Sequence, residues 1–108
     1  MKTISKEELM KKLGAFINVK NSDSTRTYNA VANQYELEFE NGYAFQSYGT
    51  LIAVLIAGQL YLSPYHDFST TTSKYANAFC NRNGKERREG LKNGDYILIE
   101  GVPHPRRY

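Results

Sequence analysis

The chain has 108 residues and a mass of 12.3 kDa, a size that fits one domain and leaves no room for two separate cores. Apolar residues make up 41% of the chain, which permits a packed core and argues against wholesale disorder. The net charge of +3 is smaller than that of a dedicated DNA-coating protein, and the longest apolar run, Leu51–Ala57, is too short to span a membrane.

Cysteine and histidine usage restricts the possible chemistry. The single cysteine, Cys80, excludes an intrachain disulfide and a cysteine-based zinc site. Because the sequence also shows no signal-peptide pattern, we expect a cytoplasmic protein. The two histidines, His66 and His104, have no carboxylates at metal-ligand spacing, and no serine or cysteine has the context of an activated nucleophile. We therefore expect no metal, no cofactor and no catalytic activity.

The N-terminal segment, residues 1–17, predicts a helix over residues 5–13. Ser5 is a suitable N-cap, and Leu9 and Leu13 follow at helical spacing. The polar residues 18–27 are typical of a loop. Residues 35–40 then alternate aromatic or aliphatic side chains with glutamates, which predicts a strand with one buried face and one acidic face.

A hairpin is predicted at Asn41-Gly42. A two-residue turn there would place Phe45 on the acidic face of the preceding strand. A three-residue loop over residues 40–42, with glycine in the left-handed conformation, would pair Phe39 with Tyr43. This loop is preferred because it keeps the aromatic side chains on one face of the sheet.

The rest of the chain predicts three more strands and two helices. The strands are expected at 51–56, 59–62 and 96–100, and the helices after the capping residues of 67–73 and at 85–92. Residues 101–108 are expected to form a flexible tail. The order α-β-β-β-β-α-α-β predicts a single α+β domain over residues 1–108. We expect an antiparallel sheet of about five strands with helices packed on one face.

Charge is distributed unevenly, and this indicates where an anionic partner would bind. Residues 74–108 carry eight basic and four acidic side chains, whereas residues 1–73 carry six and seven. On the predicted helix 85–92, Lys85, Arg88 and Lys92 would form one basic stripe, which either contacts phosphate or an acidic protein or is merely solvated. The predicted partner- or anion-binding residues are Lys74, Arg82, Lys85, Arg87, Arg88, Lys92, Arg106 and Arg107.

Two further surfaces are candidates for contact. The first is the acidic face of the strand, formed by Glu36, Glu38 and Glu40. The second is the hydroxyl-rich stretch Ser69–Lys74, where free N–H groups at a helix start would suit a phosphate. Capping of the helix explains the same hydroxyls and is the more common reason for them.

The chain contains the following short motifs: Asn41-Gly42, Phe45-Gln46-Ser47-Tyr48, Leu60-Tyr61-Leu62, Asp67-Phe68-Ser69, Thr71-Thr72, Lys74-Tyr75 and Tyr96-Ile97-Leu98. In these motifs it resembles a family of small proteins from bacteriophages and other bacterial mobile elements. The resemblance covers residues 35–100 and implies a bacterial host cytoplasm, without an activity that carries over. Small proteins of that setting often bind host machinery stoichiometrically, as anti-CRISPR proteins do. Relatives carry a tryptophan where this chain has His66, which favours a packing role for that position.

Three functions are therefore open at this point. The first is a non-enzymatic inhibitor that binds a host protein or nucleoprotein complex, such as a CRISPR effector, by combining the acidic strand with the basic helix. The second is direct binding of nucleic acid through the basic helix and the Arg106-Arg107 tail. The third is capture of a small phosphorylated signal at the helix start over residues 70–74. The oligomeric state does not follow from the sequence.

Overall fold

A computed structural model describes residues 1–21 and 33–105 of the chain. It confirms an α+β domain, with three helices and seven strands among these residues. These helices and strands follow one another along the chain in the order given next. The elements are β1 (Thr3–Ser5), α1 (Lys6–Leu13), β2 (Phe16–Asn21), β3 (Gln34–Phe39), β4 (Gly42–Ser47), β5 (Thr50–Ile56), β6 (Gln59–Leu62), α2 (Thr70–Cys80), α3 (Gly84–Asn93) and β7 (Ile97–Glu100).

The strands form one mixed sheet in the order β1-β7-β6-β5-β4-β3-β2. Strands β2 to β6 follow one another as an antiparallel meander. The chain then crosses over through α2 and α3, so β7 returns parallel to β6, and β1 pairs parallel to β7. The prediction of about five antiparallel strands is therefore wrong in number and in direction. It missed β1, which has three residues, and β2, which falls largely in the predicted loop.

Helices cover both faces of the sheet, which corrects the prediction that they pack on one. On one face, Leu9 and Leu13 of α1 pack with residues such as Phe39, Val54 and Ile99. On the opposite face, α2 and α3 pack on a second cluster that includes these buried residues: Phe45, Ile52, Ala53, Leu60, Leu62, Ala76 and Leu91. Since the central strands bury side chains in both directions, their near-continuous apolar sequence is explained.

The hairpin between β3 and β4 differs from the predicted register. Phe39 pairs with Gly42 and Glu36 pairs with Phe45, so Glu40 and Asn41 form a two-residue turn. Phe45 therefore lies on the same face as Glu36, where α2 buries it. The preference for the longer loop assumed that only one face of the sheet is covered. Gly42 has no positive φ; it is needed because a Cβ would collide with the carbonyl oxygen of Leu55.

The predicted helix at residues 5–13 is confirmed, with Ser5 as its N-cap. The Ser5 hydroxyl accepts a hydrogen bond from the Glu8 amide. At the other end of α1, the side chain of Asn41 donates to the Lys12 carbonyl and its backbone N–H donates to Leu13. The turn between β3 and β4 thus satisfies carbonyl groups that the end of the helix would otherwise leave without partners.

Part of the expected C-terminal tail packs against the domain. Val102 is buried in the cluster beneath α1, and Pro105 is also buried. The ring of His104 makes an edge contact with Tyr65, with 5.3 Å between the ring centroids. Residues 106–108, including Arg106 and Arg107, lie outside the described residues.

The close packing of Tyr96 against α3 can be tested by substitution of Gly90. Gly90 is buried at this contact, and a Cβ there would overlap the Tyr96 ring. Replacing glycine by alanine in a helix usually stabilises by about 1 kcal/mol. We expect Gly90→Ala instead to destabilise by about 1–3 kcal/mol, because the ring must move. Urea unfolding measures the change, and the penalty should shrink in a Tyr96→Ala background. A stabilising Gly90→Ala would contradict this packing.

Candidate interaction surfaces

The basic residues of α3 differ in their surroundings: one is buried, one forms an ion pair and two are exposed. Arg87 is completely buried, which corrects its assignment to an exposed partner-binding surface. Arg88 forms an ion pair of 2.9 Å with Asp67. Lys85 and Lys92 remain exposed, two turns apart on the helix. The basic surface of this helix is therefore smaller than its sequence suggests.

Two other predicted basic residues make local contacts beside this helix. The guanidinium of Arg82 donates to the Tyr96 hydroxyl at 3.1 Å and to the Asn81 carbonyl at 2.7 Å. The ammonium of Lys74 lies 5.4 Å from the centroid of the Tyr75 ring, at the distance of a cation–π contact. Both side chains are exposed, so their charged groups remain in contact with solvent.

The buried guanidinium of Arg87 joins three segments of the domain. Its Nε donates to His66 Nδ1 at 2.9 Å, and its Nη1 donates to Asn77 Oδ1 at 2.6 Å and to the Arg82 carbonyl at 2.8 Å. A longer bond of 3.4 Å runs from Nη2 to the His66 carbonyl. The loop before α2, α2 itself and the α2–α3 turn are thereby fixed to α3. A buried cation is tolerated here because oxygen and nitrogen acceptors replace its water.

His66 is held as a neutral hydrogen-bond acceptor in this cluster. Its Nδ1 receives the Arg87 bond, so a proton on the ring belongs on Nε2. Burial lowers the pKa of His66 below its ordinary value; Asp67 opposes the shift, and Arg87 and Arg88 add to it. The packing role expected for this position thus takes a specific form, since the ring accepts a bond that a tryptophan could not accept.

The thiol of Cys80 and the hydroxyl groups at the start of α2 have structural roles in this region. Burial raises the pKa of the Cys80 thiol to about 11, so the thiolate needed for nucleophilic chemistry is disfavoured. The hydroxyl of Ser69 caps α2 by accepting from the Thr72 amide. The hydroxyl of Thr72, which is buried, lies 2.8 Å from that of Ser47. These groups are engaged in capping and packing, which was the alternative to a phosphate site.

The predicted acidic surface is only partly assembled. Glu36 and Glu38 are half-buried and, being two residues apart on β3, share the face on which α2 packs. Glu40 lies in the turn, where its Oε1 accepts a bond of 2.6 Å from the Ala15 amide. Glu40 therefore stabilises the α1–β2 connection and is separate from the acidic face. Across the strands, Lys20 lies opposite Glu36, and Asn18 lies opposite Glu38.

Exposed apolar side chains that were not predicted from the sequence concentrate at the same end of the sheet. Phe16, Ile17 and Val19 on β2 are 53%, 56% and 49% exposed. Tyr43, which lies opposite Glu38 on β4, is 50% exposed. We define the acidic–aromatic face as Glu36, Glu38 and Tyr43. The signal that was available is the near alternation of apolar and polar residues from Phe16 to Lys20.

Within residues 1–21 and 33–105, no group of three or more histidine, cysteine or acidic side chains is placed to hold a metal ion. In the same part of the chain, no helix has the length and apolar character needed to cross a membrane.

The Arg87 cluster predicts a large difference between two neighbouring arginines. Arg87→Lys should destabilise by about 2–4 kcal/mol, because a buried ammonium cannot reproduce the guanidinium's bonds. Arg88→Lys, at an exposed ion pair, should change stability by less than about 1 kcal/mol. Chemical denaturation of both variants compares them, and similar effects would contradict the central place given to Arg87.

His66 predicts a dependence of stability on pH. Its folded pKa lies below its unfolded pKa of about 6.5, so the unfolded chain binds the proton first as pH falls. The stabilisation is therefore full above about pH 6.5 and decreases below it, by at most about 1.4 kcal/mol per pH unit. Urea unfolding between about pH 7.5 and 5.5 measures this slope. His66→Asn keeps an acceptor but removes the titration and should flatten the slope; an unchanged slope would contradict the assignment.

Comparison with known proteins places the chain in a family without adding an activity. No curated protein and no solved structure matches the chain. A family model described as a family of unknown function, DUF8033, matches residues 17–95. This range runs from β2 to the end of α3 and contains both the Arg87 cluster and the acidic–aromatic face. Because the match covers well over half of the chain, the protein belongs to the DUF8033 family.

Proposed function

We propose that this protein acts without catalysis, by binding a basic surface of a host protein or nucleoprotein complex and blocking it. The first candidate target is a bacterial defence complex, such as a CRISPR effector, in the host cytoplasm. The acidic–aromatic face is the observation that supports this proposal. It combines two carboxylates and an exposed tyrosine at an end of the sheet where β2 has only exposed side chains over residues 16–20.

The geometry of this face suits recognition of cationic side chains. Alternate residues on a strand are separated by roughly 6.5–7 Å, so Glu36 and Glu38 present two carboxylates at the spacing of one extended chain. Lys20 lies opposite Glu36, whereas Glu38 lies opposite the neutral Asn18. Both glutamates are half-buried, which weakens solvent screening of their charge. Tyr43 lies beside Glu38 and adds a large, rigid contact surface. Tyrosine at such a position is typical of the residues that dominate binding energy.

Charge complementarity also indicates the kind of target surface. A surface that binds nucleic acid carries lysine and arginine at positions set by phosphate groups. Carboxylates on β3 offer an alternative partner for those same cations. An inhibitor that occupies them competes with nucleic acid directly, which is how a small protein could block such a complex by stoichiometric binding.

The two alternatives receive less support from the arrangement of side chains. For nucleic-acid binding, Arg87 is buried and the exposed Arg88 is paired with Asp67, so Lys85 and Lys92 are the exposed cations of α3 outside this ion pair. For capture of a phosphorylated signal, the cap of α2 is already filled by the Ser69 hydroxyl.

Neutralising the acidic–aromatic face tests the proposal. The wild-type chain, immobilised, is expected to retain a defence nucleoprotein from the lysate of a CRISPR-bearing bacterium after nuclease treatment. Glu36→Gln/Glu38→Gln should reduce this capture at least about tenfold, since two charge-assisted contacts are lost. Lys85→Gln/Lys92→Gln, which neutralises an equal number of charges on α3, should leave it intact. Mass spectrometry of the retained material measures each outcome.

The contrary outcomes identify which part of the proposal fails. Capture that disappears on nuclease treatment, or that depends on Lys85 and Lys92, would replace it with direct nucleic-acid binding and a steep dependence on salt. Capture of no defence complex by the wild-type chain would contradict the proposed target.

A further inference from the structure

The two outer strands of the sheet are protected to different extents. Strand β1 is only three residues long, and short edge strands offer little surface for pairing. Strand β2 has six residues and is the outermost strand at the other end of the described sheet. Its side chains from Phe16 to Lys20 are all exposed. An outer strand of this length presents backbone N–H and C=O groups that can pair with another strand.

We propose that β2 pairs with β2 of a second copy of this chain, antiparallel and about a two-fold axis at Val19. The two seven-stranded sheets then form one continuous sheet. Such an interface is isologous, since each copy contributes the same strand. This inference goes beyond the proposed function and does not depend on it.

The arrangement of side chains on β2 selects the register. Directly opposed residues in an antiparallel pair lie on the same face, so the axis must pass through a residue of β2. An axis at Lys20 would place two ammonium groups opposite each other, which is unfavourable. An axis at Asn18 would extend the pairing into Ile17 and Phe16, where an irregularity in the β2–β3 ladder ends the regular strand. An axis at Val19 keeps the two ammonium groups apart and pairs Asn18 with Lys20 in the regular part of β2, so that Ile17 is reached only at the end of the pairing.

This register gives complementary contacts on each face of the joined sheet. Val19 lies opposite Leu37, which packs at the edge of the cluster beneath α1, so two valines and two leucines form an apolar row across the junction. On the other face, Asn18 of each copy faces Lys20 of the second copy. Within each chain Glu38 lies opposite Asn18 and Glu36 lies opposite Lys20, so each row across the junction places the lysine between an amide and a carboxylate and away from another cation.

The joined sheet would place the two acidic–aromatic faces on the same side. The axis is perpendicular to the sheet, so both copies expose Glu36, Glu38 and Tyr43 in the same direction. None of these residues belongs to the junction strand. Loss of the dimer and loss of the proposed binding activity are therefore separable by substitution.

Light scattering after size exclusion tests the pairing directly. Over a concentration series from about 1 to 100 μM, a range suited to small interfaces, the wild-type chain should approach twice its mass of 12.3 kDa. Val19→Lys places two ammonium groups at the axis and should give a monomer, whereas Val19→Thr retains the strand and should still dimerise. A monomeric wild-type chain at every concentration, or a Val19→Lys dimer, would overturn the proposal.

Cross-linking tests the register without requiring that Val19→Lys fold. Cys80 is the only cysteine, so Cys80→Ser gives a background free of thiols. In that background, Val19→Cys should form a disulfide-linked dimer on mild oxidation, since the two Cα atoms at the axis lie within disulfide range. Tyr43→Cys, equally exposed but two strands away, is the control for random collision. Cross-linking of Val19→Cys at the rate of this control would overturn the register.

Discussion

Burial of the sheet on both faces is the constraint on which the rest of the structure depends. Strands β4, β5 and β6 bury side chains against α1 in one direction and against α2 and α3 in the other. Strand β2 buries none of its side chains over residues 16–20. The domain therefore has a closed half, which supplies stability, and an open end, where carboxylates and apolar side chains face solvent. The proposed function uses the open end, where Glu36, Glu38 and Tyr43 lie next to a strand whose side chains are exposed.

The closed half contains a buried cation that sets the positions of the helices. Arg87 links His66, Asn77 and the Arg82 carbonyl, so the segment before α2 and both helices are fixed by one side chain. Its charge is retained inside the domain by neutral acceptors, and His66 must stay unprotonated to serve as one of them. Although the sequence of α3 is rich in basic residues, its central arginine, Arg87, therefore has a structural role inside the domain.

Much of the fold could be predicted from local patterns. The Ser5 cap with Leu9 and Leu13 located α1, and the apolar run after Leu51 located β5. Strand β2 was missed because both of its faces are exposed, so its Asn18 and Lys20 resemble a loop. The β3–β4 register was wrong because sequence patterns do not show that a second layer of helix covers Phe45. These are consequences of tertiary packing, which local periodicity does not encode.

The candidate site was predictable to a similar extent. Glu36 and Glu38 were found because alternation on a strand fixes their common face. The burial of Arg87 was not found, although it precedes the buried Leu91 by four residues and so shares its helical face. Glu40 was misassigned because the alternation was extended one residue past the end of β3. In each case the prediction was wrong because the sequence shows which residues are charged but does not show which of them the fold buries or binds.

Hydrogen exchange of the chain bound to its captured host complex tests most directly whether binding occurs at the open end. The account predicts that bound protein gains amide protection in β3 and β4, around Glu36, Glu38 and Tyr43, while exchange in α3 is unchanged. Protection gained in α3 around Lys85 and Lys92, with β3 and β4 unaffected, would contradict it.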